Sequence, residues 1–177
     1  MNDAALSGLA ASVGTQLRSA GLRVVTAESC TAGWIAKALT DVAGSSAWLD
    51  SGYVTYSNEA KVRALGVSPR TLDRFGAVSR ETVREMARGA LRASGVEVAV
   101  AVSGIAGPDG GTPAKPVGTV WFCAALARGR SIRQVAVRER FTGDREAVRR
   151  KSVERALRLI ASLLAPPARK GRKAAPR

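Results

Sequence analysis

Two periodicities alternate along the chain, one typical of helices and one typical of strands. Apolar residues recur at helical spacing in five segments, which are residues 3–20, 31–41, 57–66, 79–95 and 144–164. Short apolar runs form the strand-like segments 23–27, 49–56, 97–104, 117–127 and 132–141. Residues 67–76 show neither pattern, and we interpret them as mostly loop.

The order of these segments predicts the class of fold. Helix and strand alternate in the first half of the chain, which indicates an α/β arrangement. The last two strands flank Arg128-Gly129-Arg130 as a hairpin, so the sheet is mixed rather than purely parallel. No repeat or internal linker divides the chain. We therefore predict a single three-layer α/β/α sandwich with a mixed, mostly parallel sheet over residues 1–164.

The composition narrows the class of protein. The chain has 177 residues, of which 46% are hydrophobic, enough for one globular core. No apolar run is long enough to cross a membrane, and the first residues lack the basic segment of a signal peptide. The two cysteines make no disulfide framework, so we expect a cytoplasmic protein without a membrane partner.

The formal charge of +14 raises the question of an anionic partner. Residues 165–177 carry five positive charges and no acidic residue, and they read either as a solvated, disordered tail or as a weak contact for a polyanion. The charge on the rest of the chain could instead attract a small phosphorylated substrate. Aromatic residues are only 5% of the sequence, so a nucleic-acid partner is not expected.

The stretch Ala27-Glu28-Ser29-Cys30-Thr31-Ala32-Gly33 joins a strand to a helix and contains a candidate nucleophile. Ser29 could be a helix cap, but Thr31 can serve as the cap equally well. The position is the carboxyl end of a strand, where α/β sheets bind ligands. Backbone N–H groups of Cys30 and Thr31 would face an oxyanion there, and the small residues Ala32 and Gly33 would admit a substrate.

A serine nucleophile needs a base, and the chain contains no histidine. Lysine can replace histidine when burial lowers its pKa. Among the six lysines, Lys61 is the best placed, because it follows a strand that ends at Tyr56. If that strand neighbours the strand before Ser29, all three residues reach one rim of the sheet. The alternatives are a solvated helix lysine and an ordinary strand tyrosine.

The sequence leaves the roles of two neighbours of Ser29, Glu28 and Cys30, undecided. Glu28 could pair with Lys61 or an arginine, or it could be a residue of the sheet rim. Cys30 is a rival nucleophile, since a helix N-terminus lowers a thiol pKa, but a small buried cysteine is the favoured interpretation. The absence of histidine and the isolation of Cys123 from Cys30 make a metal site unexpected.

Two further segments are candidates for binding. The Gly/Pro-rich run 103–111 follows a buried strand, and its backbone amides could form an anion-binding nest or only a tight connection. Thr142-Gly143-Asp144-Arg145 opens the last helix, where Arg145 could clamp a phosphate, although this signal is weak alone.

Five long motifs in order along the chain resemble the CinA C-terminal domain family. They are TAESCTAGWIAKALTDVAGSSAW, GYVTYSNEAKVRALGV, GAVSRETVREMARGAL, VSGIAGPDGGTPAKPVGTVWF and FTGDREAVR. The resemblance covers roughly residues 5–164. It implies a compact α/β/α domain that hydrolyses the carboxamide of nicotinamide mononucleotide, without a cofactor, to nicotinic acid mononucleotide and ammonia.

The resemblance also implies roles for individual residues. The nucleophile, base and tyrosine of the family fall on Ser29, Lys61 and Tyr56. The residues implied around the substrate are Gly33, Asn58, Gly104, Ala106, Gly107, Pro108 and Arg145. One departure is Ala32, where the family has glycine, and its methyl group could reduce efficiency or substrate tolerance.

Family habit suggests a homodimer. Larger CinA proteins carry a further N-terminal domain, for which we expect no counterpart in 177 residues. The alternative function is a non-catalytic nucleotide- or nucleic-acid-binding protein related to competence.

Overall fold

A computed structural model of the protein describes residues 2–165. Its helices are α1 (Asp3–Ala20), α2 (Trp34–Thr40), α3 (Asn58–Leu65), α4 (Pro69–Phe75), α5 (Arg80–Ser94) and α6 (Arg145–Leu164). Its strands are β1 (Val24–Glu28), β2 (Leu49–Val54), β3 (Val98–Gly104), β4 (Thr119–Arg128) and β5 (Ser131–Arg140). No helix in this part of the chain has the length and apolar character needed to cross a membrane.

The five strands form one mixed sheet in the order β2-β1-β3-β4-β5. Strand β1 lies at the centre of a parallel set and pairs with both β2 and β3. Strand β4 runs antiparallel to β3 and β5, so four of the five strands point in one direction. The two-residue connection Gly129-Arg130 closes the predicted hairpin.

Helices cover both faces of the sheet, which confirms the three-layer fold. Alternate residues of β3 divide between the two faces, because successive side chains of a strand point in opposite directions. Val98, Val100 and Val102 join a core with α1, α2 and α6, whereas Ala99 and Ala101 join a core with α5. The small alanines on that second face let α5 pack close to the sheet.

The structure corrects two predicted boundaries and one predicted loop. Residues 67–76 contain helix α4, which begins at Pro69 and ends at Phe75, with Gly76 as its C-cap. Proline suits the first turn of a helix because its missing N–H is not needed there. Helix α2 begins at Trp34 rather than Thr31, and β2 ends at Val54, before Tyr56. The predicted basic tail, apart from its first residue, lies outside the described residues.

The parallel order brings three strand ends to one edge of the sheet. Ser29 follows β1, Tyr56 and Lys61 follow β2, and Ser103 stands near the end of β3. The first turn of α6 reaches the same edge, because Arg145 hydrogen-bonds to the loop that follows β3. The candidate residues from distant parts of the sequence are therefore neighbours.

Candidate active site

A buried serine–lysine pair lies at the carboxyl edge of the sheet. Lys61 stands in the first turn of α3, whose N-cap is Ser57, and its side chain is only 1% exposed. Its Nζ hydrogen-bonds to Ser29 Oγ at 3.1 Å. Ser29 is itself 8% exposed, so it can be reached only from one side. The predicted proximity of these two side chains is thus observed.

Backbone carbonyl groups surround the rest of the lysine amine. Nζ donates to Thr55 O at 2.8 Å, to Tyr56 O at 3.1 Å and, more weakly, to Ser57 O at 3.4 Å. Burial lowers the pKa of Lys61 from its ordinary value. No carboxylate of residues 2–165 forms a salt bridge with it. In its neutral form the amine would donate two N–H groups to Thr55 O and Tyr56 O and turn its lone pair toward Ser29.

Glu28 is fully buried and is occupied away from Lys61. Its Oε2 accepts from Thr31 Oγ1 at 2.7 Å and from Ile35 N at 3.0 Å. Its Oε1 accepts from Thr26 Oγ1 at 3.1 Å and from Ala36 N at 2.8 Å. The carboxylate therefore caps α2 from inside the protein.

This arrangement corrects two interpretations of the sequence. Thr31 is not the cap of α2, because its hydroxyl is a donor to Glu28 and the N-cap position is Gly33. Glu28 is neither a residue of the exposed rim nor a partner of Lys61. The sequence alone could not decide this, since a buried carboxylate needs donors that only the folded loop supplies.

Arg149 contacts residues 29–33, here called the nucleophile loop because they contain the candidate nucleophile Ser29, from the side opposite Glu28. It is on α6, and its guanidinium donates to Cys30 O at 3.0 Å and to Thr31 O at 2.9 Å. Sequence analysis missed this residue, although it lies one helical turn after Arg145 and therefore on the same face of α6.

These contacts also orient two backbone N–H groups. In a trans peptide the N–H points opposite to the carbonyl, so Arg149 on Cys30 O directs the Thr31 N–H away from α6. Ala32 N donates to Ser29 O at 3.1 Å, which fixes the Cys30 N–H in the same way. Within residues 2–165, neither the Cys30 N–H nor the Thr31 N–H has a hydrogen-bond acceptor.

Cys30 has the chemistry of a buried thiol rather than that of a nucleophile. It is 5% exposed, and burial raises its pKa to about 12. The lowered pKa expected at a helix N-terminus is wrong, because α2 begins only at Trp34 and burial is the larger effect. At neutral pH the thiol stays protonated, which leaves Ser29 as the stronger candidate.

A pocket of about 190 Å³ opens onto the serine–lysine pair. Its lining consists of Ser29, Cys30, Tyr56, Lys61, Ala77, Val78, Ser103, Gly104, Ala106 and Arg145. Ala77 and Val78 were not predicted from the sequence, since their place depends on how the start of α5 meets the sheet, whereas Ser103 belongs to the candidate binding run 103–111. Gly104 leaves no space for a larger residue, because an added Cβ would lie 2.6 Å from Val120.

Tyr56 is 61% exposed and turns its hydroxyl away from the lysine. Arg145 Nη2 donates to Tyr56 Oη at 3.2 Å, and Arg145 Nη1 donates to Gly107 O at 2.7 Å. The two side chains together form one wall of the pocket. The part of Tyr56 that contacts Lys61 is its backbone carbonyl rather than its phenol.

Six of the residues predicted to form the site lie outside the pocket lining, and they are Thr31, Ala32, Gly33, Asn58, Gly107 and Pro108. Asn58 and Pro108 are exposed, and neither contributes to the pocket. Gly33 and Ala32 line a larger cavity of about 500 Å³ between α1, α2 and α6. Four charged side chains of that cavity are paired, Arg150 with Asp3 and Lys37 with Asp41, and the fifth, Arg149, donates to backbone carbonyl groups.

No three His, Cys, Asp or Glu side chains converge into a metal-binding group within residues 2–165.

The fold and this site define the molecule as a three-layer α/β/α protein with a buried serine–lysine pair at the carboxyl edge of its sheet. Residues 6–164 match the CinA C-terminal domain, and the chain belongs to that family. Nicotinamide-nucleotide amidohydrolase PncC of Escherichia coli K12 is 55% identical over 160 residues, covering 90% of this chain and 95% of the relative. The protein of the same name from Pseudomonas putida is 57% identical over 152 residues, covering 86% and 92%.

A solved structure gives the same fold. The competence/damage inducible protein CihA from Agrobacterium tumefaciens superposes with a TM-score of 0.87 at 44% identity, covering 93% of this chain and 98% of that protein. A longer relative, the CinA-like protein of Chloroherpeton thalassium, is 48% identical over 152 residues, which are only 36% of its length. The domain thus also occurs within larger proteins.

Proposed function

We propose that this protein is a nicotinamide-nucleotide amidohydrolase that converts nicotinamide mononucleotide and water to nicotinic acid mononucleotide and ammonia. The observation that carries the mechanism is the 3.1 Å contact between Lys61 Nζ and Ser29 Oγ in a buried site. The full-length relatives named nicotinamide-nucleotide amidohydrolase support the substrate. We propose residues 6–164 as the catalytic domain.

In the first step Ser29 Oγ attacks the carboxamide carbon while neutral Lys61 accepts the hydroxyl proton. The carbonyl oxygen becomes an oxyanion and faces the unoccupied N–H groups of Cys30 and Thr31. Lys61, now an ammonium, keeps its hydrogen bonds to Thr55 O and Tyr56 O and carries a third proton toward the substrate. Loss of one such oxyanion donor costs other enzymes about a hundredfold or more in kcat.

Collapse of the tetrahedral intermediate breaks the carbon–nitrogen bond. Lys61 returns the proton to the leaving nitrogen, so ammonia departs and nicotinic acid mononucleotide remains bound to Ser29 as an ester of its pyridine carboxyl group. A water molecule then gives its proton to Lys61 and attacks the ester. The second collapse returns the proton to Ser29 Oγ and releases the carboxylic acid.

The pocket wall positions the substrate in this scheme. Arg145 and Tyr56 present a guanidinium and a phenol at the mouth, where they can hydrogen-bond the ribose or the ring substituents. Gly104 and Ala106 form the floor, where the absence of bulky side chains leaves room for the flat nicotinamide ring. Asn58, Gly33 and Pro108 have no direct contact with the substrate in this scheme, since none of them lines the pocket.

Ammonia release from nicotinamide mononucleotide tests the proposal. The wild-type protein should release ammonia, Ser29→Ala should fall to the background of the buffer, and Cys30→Ala should retain activity as the matched control. Mass spectrometry of acid-quenched enzyme should find the nicotinic acid mononucleotide ester, with its ribose phosphate, on the peptide that contains Ser29. Full activity of Ser29→Ala, or its loss only in Cys30→Ala, would contradict the scheme.

A further inference from the structure

A basic groove adjoins the candidate pocket and has no role in the steps above. Val78 lines both spaces. The groove has a volume of about 230 Å³ and is lined by Phe75, Val78, Ser79, Arg80, Glu81, Ala114, Lys115, Thr119, Trp121 and Arg138. It lies on the α5 side of the sheet, because Trp121 packs against the core beneath that helix.

Strand register fixes how far the groove lies from the pocket. Ser103 of β3 pairs with Trp121 of β4, and Trp121 pairs with Arg138 of β5. Directly paired residues point to the same face of a sheet, and neighbouring strands lie about 4.8 Å apart. Arg138 is therefore two strands, or about 10 Å along the sheet, from Ser103 in the pocket wall.

The charge in this groove is unbalanced. Arg80, Lys115 and Arg138 line it together with one carboxylate, Glu81. Arg140 lies in the next row of β5 on the same face, since it pairs with Thr119. None of these four cations forms a salt bridge within residues 2–165.

Lys115 and Arg145 are held by hydrogen bonds within the protein, whereas Arg80 and Arg138 are not. Lys115 Nζ donates to Phe75 O at 2.7 Å, which holds the ammonium at the groove. The guanidinium of Arg145 is already bound to Gly107 O and Tyr56 Oη. The arginine side chains that donate hydrogen bonds within residues 2–165 do not include Arg80 or Arg138, so these two guanidinium groups are available for a ligand.

We propose that this groove binds the phosphate monoester of the nucleotide whose carboxamide lies at Ser29. The inference rests on the proposed function and adds the place of the phosphate to it. A mononucleotide carries its base and its phosphate at opposite ends of a ribose. The pocket holds the candidate nucleophile, and the adjoining groove, which shares Val78 with the pocket, holds the cation cluster. Arginine side chains bind phosphate oxygens with two parallel hydrogen bonds, which suits Arg138.

Comparison of two substrates tests this placement. Nicotinamide mononucleotide and nicotinamide riboside differ only by the phosphate, so Arg138→Gln should reduce kcat/KM for the mononucleotide by about tenfold to a hundredfold, the value of a charge-assisted contact. The riboside should lose far less. Arg130→Gln removes the same charge from an exposed turn at the far end of the β4–β5 hairpin, and it should change neither substrate.

A binding measurement separates failure of this inference from failure of the proposed function. Calorimetry with ribose 5-phosphate and with ribose needs no turnover, and only the phosphate ester should bind more weakly to Arg138→Gln than to wild type. An equal loss for both sugars would overturn the inference, as would a phosphate-specific loss in Arg145→Gln but not in Arg138→Gln. Salt-dependent binding of single-stranded DNA that Arg138→Gln abolishes, with ribose 5-phosphate binding unchanged, would assign the groove to nucleic acid and also overturn it.

Discussion

Substitution of Glu28 by glutamine tests whether the buried carboxylate holds the nucleophile loop in place. The change keeps the shape of the side chain but replaces one acceptor oxygen by an NH2 group. Each carboxylate oxygen accepts from one hydroxyl and one backbone N–H of α2. In either orientation of the amide, therefore, one hydroxyl and one backbone N–H of α2 face the NH2 group of glutamine, which is itself a donor.

The expected cost follows from these four contacts. The hydroxyl can rotate and accept a hydrogen bond from the new NH2 group, but the backbone N–H cannot. A buried N–H without an acceptor costs about 1–3 kcal/mol, and loss of negative charge at a helix N-terminus adds up to about 2 kcal/mol. Glu28→Gln should thus lower the free energy of unfolding by about 2–4 kcal/mol.

Urea unfolding followed by circular dichroism measures this difference. Glu59→Gln is the matched control, because Glu59 also lies in the first turn of a helix but is exposed. The control should unfold at nearly the wild-type urea concentration. At a temperature where Glu28→Gln remains folded, its ammonia release should also be reduced, because the loop loses one of its supports. Equal unfolding midpoints for the two variants would refute the role assigned to Glu28.

Three other perturbations have defined outcomes. Arg149→Lys replaces two directed N–H groups by a single ammonium, so kcat for ammonia release should fall by about tenfold with a smaller change in KM; a change confined to KM would contradict its positioning role. Ala32→Gly removes a side chain from a left-handed conformation with φ 51°, so it should raise the free energy of unfolding in urea by about 0.5–1 kcal/mol without altering ammonia release. The control Ala36→Gly, inside α2, should lower that free energy by about 1 kcal/mol. A loss of stability in Ala32→Gly would show that Ala32 is not strained. Burial lowers the pKa of Lys61 in the folded state, so the unfolded chain binds more protons between the folded-state and ordinary pKa values. The free energy of unfolding of wild type minus that of Lys61→Met should therefore rise with pH toward 10, by at most about 1.4 kcal/mol per pH unit. A difference that does not change with pH would mean that the pKa of Lys61 is near its ordinary value.

Local patterns in the sequence were sufficient to predict most of the fold. The bounds of α1, α3 and α5 follow from apolar spacing and from the caps at Ser57, Ser79 and Gly95. Helix α4 was missed because only one of its residues, Leu72, is buried, so the segment has almost no apolar periodicity. Short helices of this kind are stabilised by packing rather than by pattern.

The proximity of Ser29 and Lys61 could be predicted because both follow strands that are neighbours in a parallel set. Contacts between residues that are far apart in the sequence and do not follow neighbouring strands could not be predicted. Arg149 is more than a hundred residues from the loop that it holds, and nothing in its local sequence indicates which carbonyl groups it meets. The raised pKa of Cys30 likewise depends on burial, which the sequence does not specify for a single residue.

Two oppositely charged side chains hold the nucleophile loop from two sides, and this explains how Ala32 can occupy a position that favours glycine. Glu28 binds the loop through Thr31 and the first N–H groups of α2, whereas Arg149 binds the carbonyl groups of Cys30 and Thr31. These contacts fix the peptide planes on the N-terminal side of Ala32 and the start of the helix beyond it. Ala32 lines the larger cavity and not the pocket at Ser29, so we expect its backbone strain to affect stability rather than access to Ser29. The N–H groups of Cys30 and Thr31, which bind the oxyanion in the proposed mechanism, are accordingly oriented before a substrate arrives, which is the condition under which backbone donors stabilise a transition state without reorganisation.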